Sequence, residues 1–237
     1  MKKNKYIHVE EEHNIKAASV IVPELMRLYE PRSVADVGCG LGTWLKVFLT
    51  NGVTDVVGYD GAHLNMNKVV IEKELIVISD LEKPIVANRK FDLVISLEVA
   101  EHISLQNAEN FVNSLCGLGE TVVFSAAIPQ QGGQNHINEQ WPEYWQKLFA
   151  KNGFTMHDVL RERFWDDERV DYWYRQNMFL ATGPQSPFYS SENKKLRSLV
   201  HPDLLTIYHN LYKDALSGRS GTVQAAKALV KSIGGKG

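Results

Sequence analysis

The chain has 237 residues, of which 44% are hydrophobic and 23% are charged, and this is the composition of an ordinary globular protein. The formal net charge of −2 argues against a broad surface for nucleic acid. No apolar run approaches the ~18 residues of a membrane span, and two cysteines are too few for a disulfide framework. The basic N-terminus is followed by polar and acidic residues, so we expect no secretory signal. These features predict a cytoplasmic protein without a membrane or nucleic-acid partner.

Strand and helix patterns alternate along the first half of the chain. Apolar residues at helical spacing predict a helix from Ile15 to Glu30, and Pro31 ends the pattern. The following patterns predict helices at 42–50 and 103–117 and strands at 33–38, 54–59, 75–79, 92–96 and 121–126. Nearly continuous apolar strands that alternate with helices indicate an α/β fold, a parallel sheet covered by helices on both faces.

The second half of the chain has a different character. A polar, turn-rich stretch at 128–136 precedes a predicted helix at 139–151, and strands are predicted at 154–160 and 176–182. A linker rich in Ser and Pro at 184–193 then leads to predicted helices at 203–216 and 222–232. So short a segment buries little core unaided. We therefore predict one domain over residues 1–183, and a linker with a C-terminal helical extension over residues 184–237.

A glycine-rich segment, Asp36-Val37-Gly38-Cys39-Gly40-Leu41-Gly42, lies between the first predicted strand and the next helix. Glycines at such a turn allow a sharp bend and a close approach of the backbone to a ligand. A dinucleotide fingerprint reads G-x-G-x-x-G, whereas here the third glycine comes one residue early and an acid precedes the first glycine. An acid beside the loop suits a ligand with a cationic amino group better than a pyrophosphate.

This acid-x-Gly-x-Gly-x-Gly segment resembles the first motif of the class I S-adenosylmethionine-dependent methyltransferases, and acids follow the later strands in the family's order. The resemblance implies a Rossmann-like, seven-stranded, mostly parallel sheet with helices on both faces and an antiparallel last strand. It also implies S-adenosyl-L-methionine as cofactor. Its ribose would contact Asp60, its adenine would lie beside Asp80 and Leu81, and its methionine half would lie beside Leu97 and Glu98. The full set of implied cofactor residues is Asp36, Gly38, Gly40, Gly42, Asp60, Asp80, Leu81, Leu97 and Glu98.

The segment 134–145 combines a histidine, amides, carboxylates and aromatics directly after the fifth predicted strand. It resembles the His-x-Asn-Glu-Gln-Trp-Pro-x-Tyr-Trp element of a methyltransferase group associated with glycan and sugar-nucleotide pathways. That resemblance implies O-methylation of a sugar, a sugar nucleotide or a related small polyhydroxy metabolite. Histidine titrates near neutrality and can take a proton from a hydroxyl, so His136 is the candidate general base. The candidate substrate-binding residues are Asn138, Glu139, Trp141, Tyr144 and Arg175.

Several alternatives stay open at this point. Asn138 is also a candidate N-cap of the 139–151 helix. His102 is an alternative base, although we interpret the Glu101–His102 pair as a packing or hydrogen-bonding feature. His136 and Glu139 with a third carboxylate form a candidate set of ligands for Mg²⁺ or another divalent ion. No compact ligand cluster is visible in the sequence, so we expect no metal and methyl transfer that does not require one.

Other functions and partners also remain open. N-methylation of an amino sugar or other small amine is the alternative reaction, and such an acceptor needs no strong base. A non-catalytic S-adenosylmethionine-binding protein is the alternative class. The aromatics of the run 164–174 are further candidates for an acceptor wall. The expected partner is a small, sugar-like acceptor, and a homodimer is left open.

Overall fold

The computed structural model describes residues 15–192 and 194–216, and within them seven strands form one sheet in the order β3-β2-β1-β4-β5-β7-β6. The strands are β1 Ser33–Val37, β2 Asp55–Asp60, β3 Ile76–Ile78, β4 Leu93–Leu97, β5 Thr121–Ser125, β6 Thr155–His157 and β7 Phe179–Thr182. The first five strands pair in parallel, and β7 is antiparallel to both β5 and β6. The predicted fold class is confirmed, including the antiparallel final strand.

Helices cover both faces of the sheet. The α-helices are α1 Lys16–Tyr29, α2 Thr43–Thr50, α3 Ala108–Leu118, α4 Pro142–Lys151, α5 Arg161–Phe164, α6 Tyr172–Asn177 and α7 Pro202–Leu216. Short 3₁₀ turns occur at Lys73–Leu75 and Ala100–His102. Within the described ranges no helix has the length and apolarity needed to cross a membrane. The helix predicted at 222–232 lies outside the described residues.

Successive residues of the central strands belong to two different cores. Val34 and Val123 pack with the apolar faces of α1 and α2, whereas Ala35 and Val122 pack with those of α3 and α4. Side chains alternate between the two faces of a strand, so a strand covered on both faces must be apolar at every position. This is why the strands of this chain read as continuous apolar runs.

Four element boundaries differ from the sequence predictions by three residues or more, and one of them is the end of the strand predicted at 154–160, which stops at His157. The helix predicted at 139–151 begins at Pro142, because proline is favoured in the first turn, where its missing N–H costs nothing, and Trp141 takes the cap position. The N-cap interpretation of Asn138 is therefore wrong. The strand predicted at 176–182 begins only at Phe179, because α6 takes up the preceding residues and buries their polar side chains. The helix predicted at 103–117 begins at Ala108, after a turn.

The segment that follows Gly183 packs against α5 and α6. The backbone N–H of His201 donates to Gln176 Oε1 at 2.7 Å, and Arg161 Nη2 donates to the carbonyl of Arg197 at 3.0 Å. Arg175 pairs with Asp203 at the start of α7. These contacts attach α7 to the strand-end side of the domain, while the domain boundary at 183 stays a prediction.

The turn after β1 yields a test of packing at the glycine loop. Gly38 has a φ of +86°, and a Cβ built there would lie 2.3 Å from Val99 Cγ2. Gly38→Ala should lower the free energy of unfolding by about 2–4 kcal/mol, because it adds left-handed strain and overpacking. Chemical denaturation measures this change. Addition of Val99→Ala should recover the packing share of the loss, and a single variant as stable as the wild type would contradict the tight approach.

Candidate active site

A crevice of about 1270 Å³ opens outside the carboxyl ends of β1, β2 and β4, where parallel α/β sheets bind their ligands. All but one of the predicted cofactor residues line it, the exception being Gly42, which is the cap residue before α2. His136 also lines the crevice. The lining residues among those predicted are Asp36, Gly38, Gly40, Asp60, Asp80, Leu81, Leu97, Glu98 and His136.

Asp36, on β1, is a buried acid with one carboxyl oxygen that has no hydrogen-bond partner among the described residues. Its side chain is among the buried polar groups at 3% exposure, and its Oδ2 has no hydrogen-bond partner. Burial, together with the nearby charge of Asp60, raises the pKa of Asp36 well above its usual value. A buried carboxyl without a partner is costly. A cationic amino group would relieve that cost, as the sequence analysis expected of an acid beside this loop.

Asp60, at the end of β2, is held by the backbone on both of its oxygens. Oδ2 accepts from the N–H of Gly40 and Oδ1 accepts from the N–H of Gly61, each at 2.7 Å. These bonds tie the glycine loop to the end of the neighbouring strand. They also fix the carboxylate at the mouth of the crevice, where the ribose contact was expected.

Glu98 is the centre of a buried amide network that the sequence analysis did not identify. Gln131 Nε2 donates to Glu98 Oε2 at 3.0 Å, and Asn177 Nδ2 donates to both Glu98 oxygens at 3.2 and 3.3 Å. Gln176 Nε2 in turn donates to Gln131 Oε1 at 3.0 Å. Burial raises the pKa of Glu98, and the hydrogen bonds that it accepts offset part of the rise. The network draws on the loop after β5 and on α6, so no single segment reveals it.

His136 is fixed by Glu139. Its Nδ1 lies 2.9 Å from Glu139 Oε1, and the two Glu139 oxygens also accept the N–H groups of Gln130 at 2.7 Å and Gly132 at 2.8 Å. Burial raises the pKa of Glu139, but the hydrogen bonds from His136 and the two backbone groups outweigh this effect, so the pKa of Glu139 lies below its usual value. The ionised Glu139 carboxylate therefore fixes both the loop at 130–132 and the imidazole of His136.

Glu101 and His102 lie against His136. Glu101 is completely buried, and neither of its carboxyl oxygens has a hydrogen-bond partner. Burial, together with the nearby charge of Glu98, raises the pKa of Glu101 well above its usual value, and the nearby N–H groups of Glu101 and Ala127 make no well-formed hydrogen bond to the carboxyl. His136 Nε2 is 3.9 Å from Glu101 Oε1. The imidazole rings of His102 and His136 pack edge to face, with their centroids 4.9 Å apart.

The five predicted substrate-binding residues do not line the crevice. Asn138 is buried, and its N–H donates to the carbonyl of Glu101 at 3.0 Å. Trp141 is the exposed cap of α4, and Tyr144 packs on the core beside Trp145. Arg175 donates to the carbonyl of Trp165 and pairs with Asp203, while Glu139 acts on the site through His136. The aromatic wall comes from α6 instead, through Tyr172, Trp173 and Tyr174.

Comparison with known proteins agrees with this architecture. A family model described as a methyltransferase domain matches residues 11–118, a little under half of the chain. No curated protein sequence matches the chain. The magnesium protoporphyrin IX methyltransferase of Synechocystis PCC 6803, solved with bound S-adenosylhomocysteine, is similar in structure with a TM-score of 0.51 and 15% identity, over 76% of this chain and 90% of that one.

Two further solved structures have the same fold. The amino pentose methyltransferase CalS10 of Micromonospora echinaspora, solved with S-adenosylmethionine, has a TM-score of 0.54 and 15% identity over 77% of this chain and 99% of that one. The methyltransferase domain of a bacterial Hen1 has a TM-score of 0.53 and 18% identity over 71% of this chain and 97% of that one. The chain thus matches a methyltransferase domain over residues 11–118 and shares the fold of methyltransferases solved with S-adenosylhomocysteine or S-adenosylmethionine.

The crevice fits this cofactor. Gly38 and Gly40 form part of its wall without side chains, and the Asp36 carboxyl has an oxygen without a partner in the same wall. Asp60 supplies a fixed hydrogen-bond acceptor at the end of β2. When bound, S-adenosylmethionine supplies a methyl group made electrophilic by its sulfonium sulfur.

The backbone contacts of Asp60 yield a test of cofactor binding. Asp60→Ala should weaken the binding of S-adenosylhomocysteine by about 1.5–3 kcal/mol, because a charged hydrogen-bonding group is removed and the loop at Gly40 loses its anchor. Isothermal titration calorimetry measures the change. Asp55→Ala is the matched control, since it lies on the same strand at the opposite end, paired with Arg89. Equal affinities in the two variants would remove Asp60 from the ribose role.

Proposed function

We propose that this enzyme transfers the methyl group to a hydroxyl of a small polyhydroxy acceptor such as a sugar or a sugar nucleotide. The observation that carries the proposal is the fixed orientation of His136 in the wall of the crevice. Its Nδ1 is held by Glu139 at 2.9 Å, and its Nε2 faces the interior beside Glu101. The imidazole is thus held in one orientation in the wall of the crevice.

The hydrogen bond to Glu139 determines what His136 can do. An ionised carboxylate only accepts hydrogen bonds, so Nδ1 carries the proton and Nε2 carries the lone pair. A sugar hydroxyl has a pKa far above neutral and needs a group that accepts or displaces its proton during transfer. His136 presents such a lone pair, so we assign it the activation of the hydroxyl, with direct acceptance of the proton as the simplest route.

The remaining walls suit a polyhydroxy ligand. The aromatic rings of Tyr172 and Trp173 offer faces on which a sugar or base can stack. Gln131 and Gln134 line the same crevice and bring amide groups, which both donate and accept hydrogen bonds. An amino pentose is the acceptor named for one neighbour in fold, whereas others act on a porphyrin or on small RNA. The net charge of −2 disfavours RNA here.

N-methylation of an amino sugar is the second candidate. The observation that favours it is the pair of carboxyl groups, Glu98 and Glu101, in the wall that also holds His136. Carboxylates attract an ammonium group, and the neutral amine needs no strong base to react. Removal of the His136 imidazole therefore separates the two reactions.

For a hydroxyl acceptor, His136→Ala should lower kcat about 10²–10⁴-fold and leave the affinity for S-adenosylhomocysteine nearly unchanged, because the imidazole acts on the acceptor. Turnover against a panel of nucleotide-linked sugars, followed by mass spectrometry, measures the first quantity and calorimetry the second. His157→Ala is the matched control, since His157 lies on β6, bonds to Thr182 and does not line the crevice. A kcat near that of the wild type would refute the assignment and favour an amine acceptor.

A further inference from the structure

The wall that contains His136 also holds an unusual group of potential ligands. Glu101, His102 and His136 each offer one ligand atom, and these three atoms lie within 4.8 Å of one another. Glu101 and His102 belong to the 3₁₀ turn after β4, and His136 belongs to the loop after β5. These loops meet because β4 and β5 are parallel neighbours, so both end at the same edge of the sheet. These three residues do not appear as a group in the sequence because they come from two separate segments.

The Glu101 carboxyl points to a ligand. It is completely buried, lines the crevice and makes no hydrogen bond through either oxygen. Native proteins pair nearly all buried polar groups with a protein group, a water or an ion. An apolar residue of similar size would pack here without this cost. A cation bound next to the Glu101 carboxyl would account for a carboxyl in this position.

Both imidazoles are oriented as metal ligands are. His136 Nδ1 bonds to the Glu139 carboxylate at 2.9 Å, and His102 Nδ1 lies 3.3 Å from the backbone carbonyl of Asn135. Metal-bound histidines almost always donate their second N–H to a carboxylate or a backbone carbonyl, which fixes the ring and its tautomer. Both partner types occur here. Each hydrogen bond places the proton on Nδ1 and leaves Nε2 as the coordinating nitrogen.

We propose that Glu101, His102 and His136 bind a divalent transition-metal cation. Two imidazoles with one carboxylate suit Mn²⁺, Fe²⁺, Co²⁺ or Zn²⁺ better than the all-oxygen preferences of Mg²⁺ and Ca²⁺. Ligand atoms around such an ion lie about 2.0–2.2 Å from it, so shifts of roughly 1 Å or less would close the group onto the metal. Three protein ligands leave coordination positions open toward the crevice.

The cation changes how the acceptor is activated, and this part of the inference rests on the proposed function. A hydroxyl that occupies an open position on the metal has its pKa lowered, and its proton is released to solvent water. His136 Nε2 cannot coordinate a metal and accept a proton at the same time. In the metal-bound enzyme His136 is thus a ligand, and methyl transfer requires the metal, contrary to the expectation drawn from the sequence.

The test is a titration of the chelator-treated protein with Co²⁺, followed by calorimetry and by visible absorption, which reports on nitrogen and oxygen ligands. We expect one Co²⁺ per chain. Glu101→Gln and His102→Ala should weaken binding at least 100-fold, and Glu139→Gln, which removes the charge that orients His136, should weaken it about 10–100-fold. His157→Ala should bind Co²⁺ as the wild type does.

Controls separate loss of the site from loss of the fold and of the function. Each variant is first tested for binding of S-adenosylhomocysteine, and binding like that of the wild type shows that the crevice is still folded. Absence of saturable Co²⁺ binding by the wild type would overturn the proposal, as would unchanged affinity in Glu101→Gln and His102→Ala. Turnover that persists in metal-stripped enzyme would overturn the catalytic role of the cation and return His136 to the role of base. Co²⁺ binding without methylation of any hydroxyl acceptor would instead refute the proposed function.

Discussion

The structure depends on how the turn after β1 is held by the end of β2. The N–H groups of Gly38 and Cys39 both donate to the carbonyl of Tyr59, and the next residue along, Asp60, accepts the N–H of Gly40. The end of β2 thus holds the glycine loop through both a main-chain carbonyl and a side-chain carboxylate. A loop with three glycines loses much conformational entropy on folding, so several strong contacts are needed to keep it in one shape. That shape brings Gly38 against Val99, which fills the space that a side chain at Gly38 would need.

The sequence predicted the parts of this protein that arise from local periodicity and from a linear motif. Apolar strands, a proline after α1 and the acid-glycine segment each carry their signal within a few residues, and all appear where expected. Boundaries were displaced where tertiary contacts decide them. The start of β7 is an example, because Gln176 and Asn177, at the end of α6, are turned inward to meet Gln131 and Glu98, a requirement that the segment itself does not reveal. By contrast, β1 and α2 match their predicted ranges within one residue at each end.

The site was predictable to a similar degree. Cofactor residues lie at strand ends, so their order along the chain determines their place in the sheet, and most of them line the crevice. The side of the crevice where the acceptor would bind is built from loops, and there residue type alone does not identify the lining residues. Trp141, Tyr144 and Arg175 have the chemistry of sugar-binding residues, yet they serve a helix cap, a core contact and an anchor for α7. Burial and direction separate a binding side chain from a structural one, and neither is encoded in local composition.

The amide network also links the C-terminal segment to the chemistry of the crevice. Gln176 is the shared member, since its Oε1 accepts the N–H of His201 while its Nε2 donates to Gln131, which in turn donates to Glu98. A chain shortened at residue 183 would retain every strand of the sheet but leave a fully buried amide oxygen without its donor, at a cost of about 1–3 kcal/mol. The residues after the last strand thus complete the hydrogen bonding in the interior of the domain. A substitution that displaces the backbone at His201 would therefore disturb the contacts of Glu98.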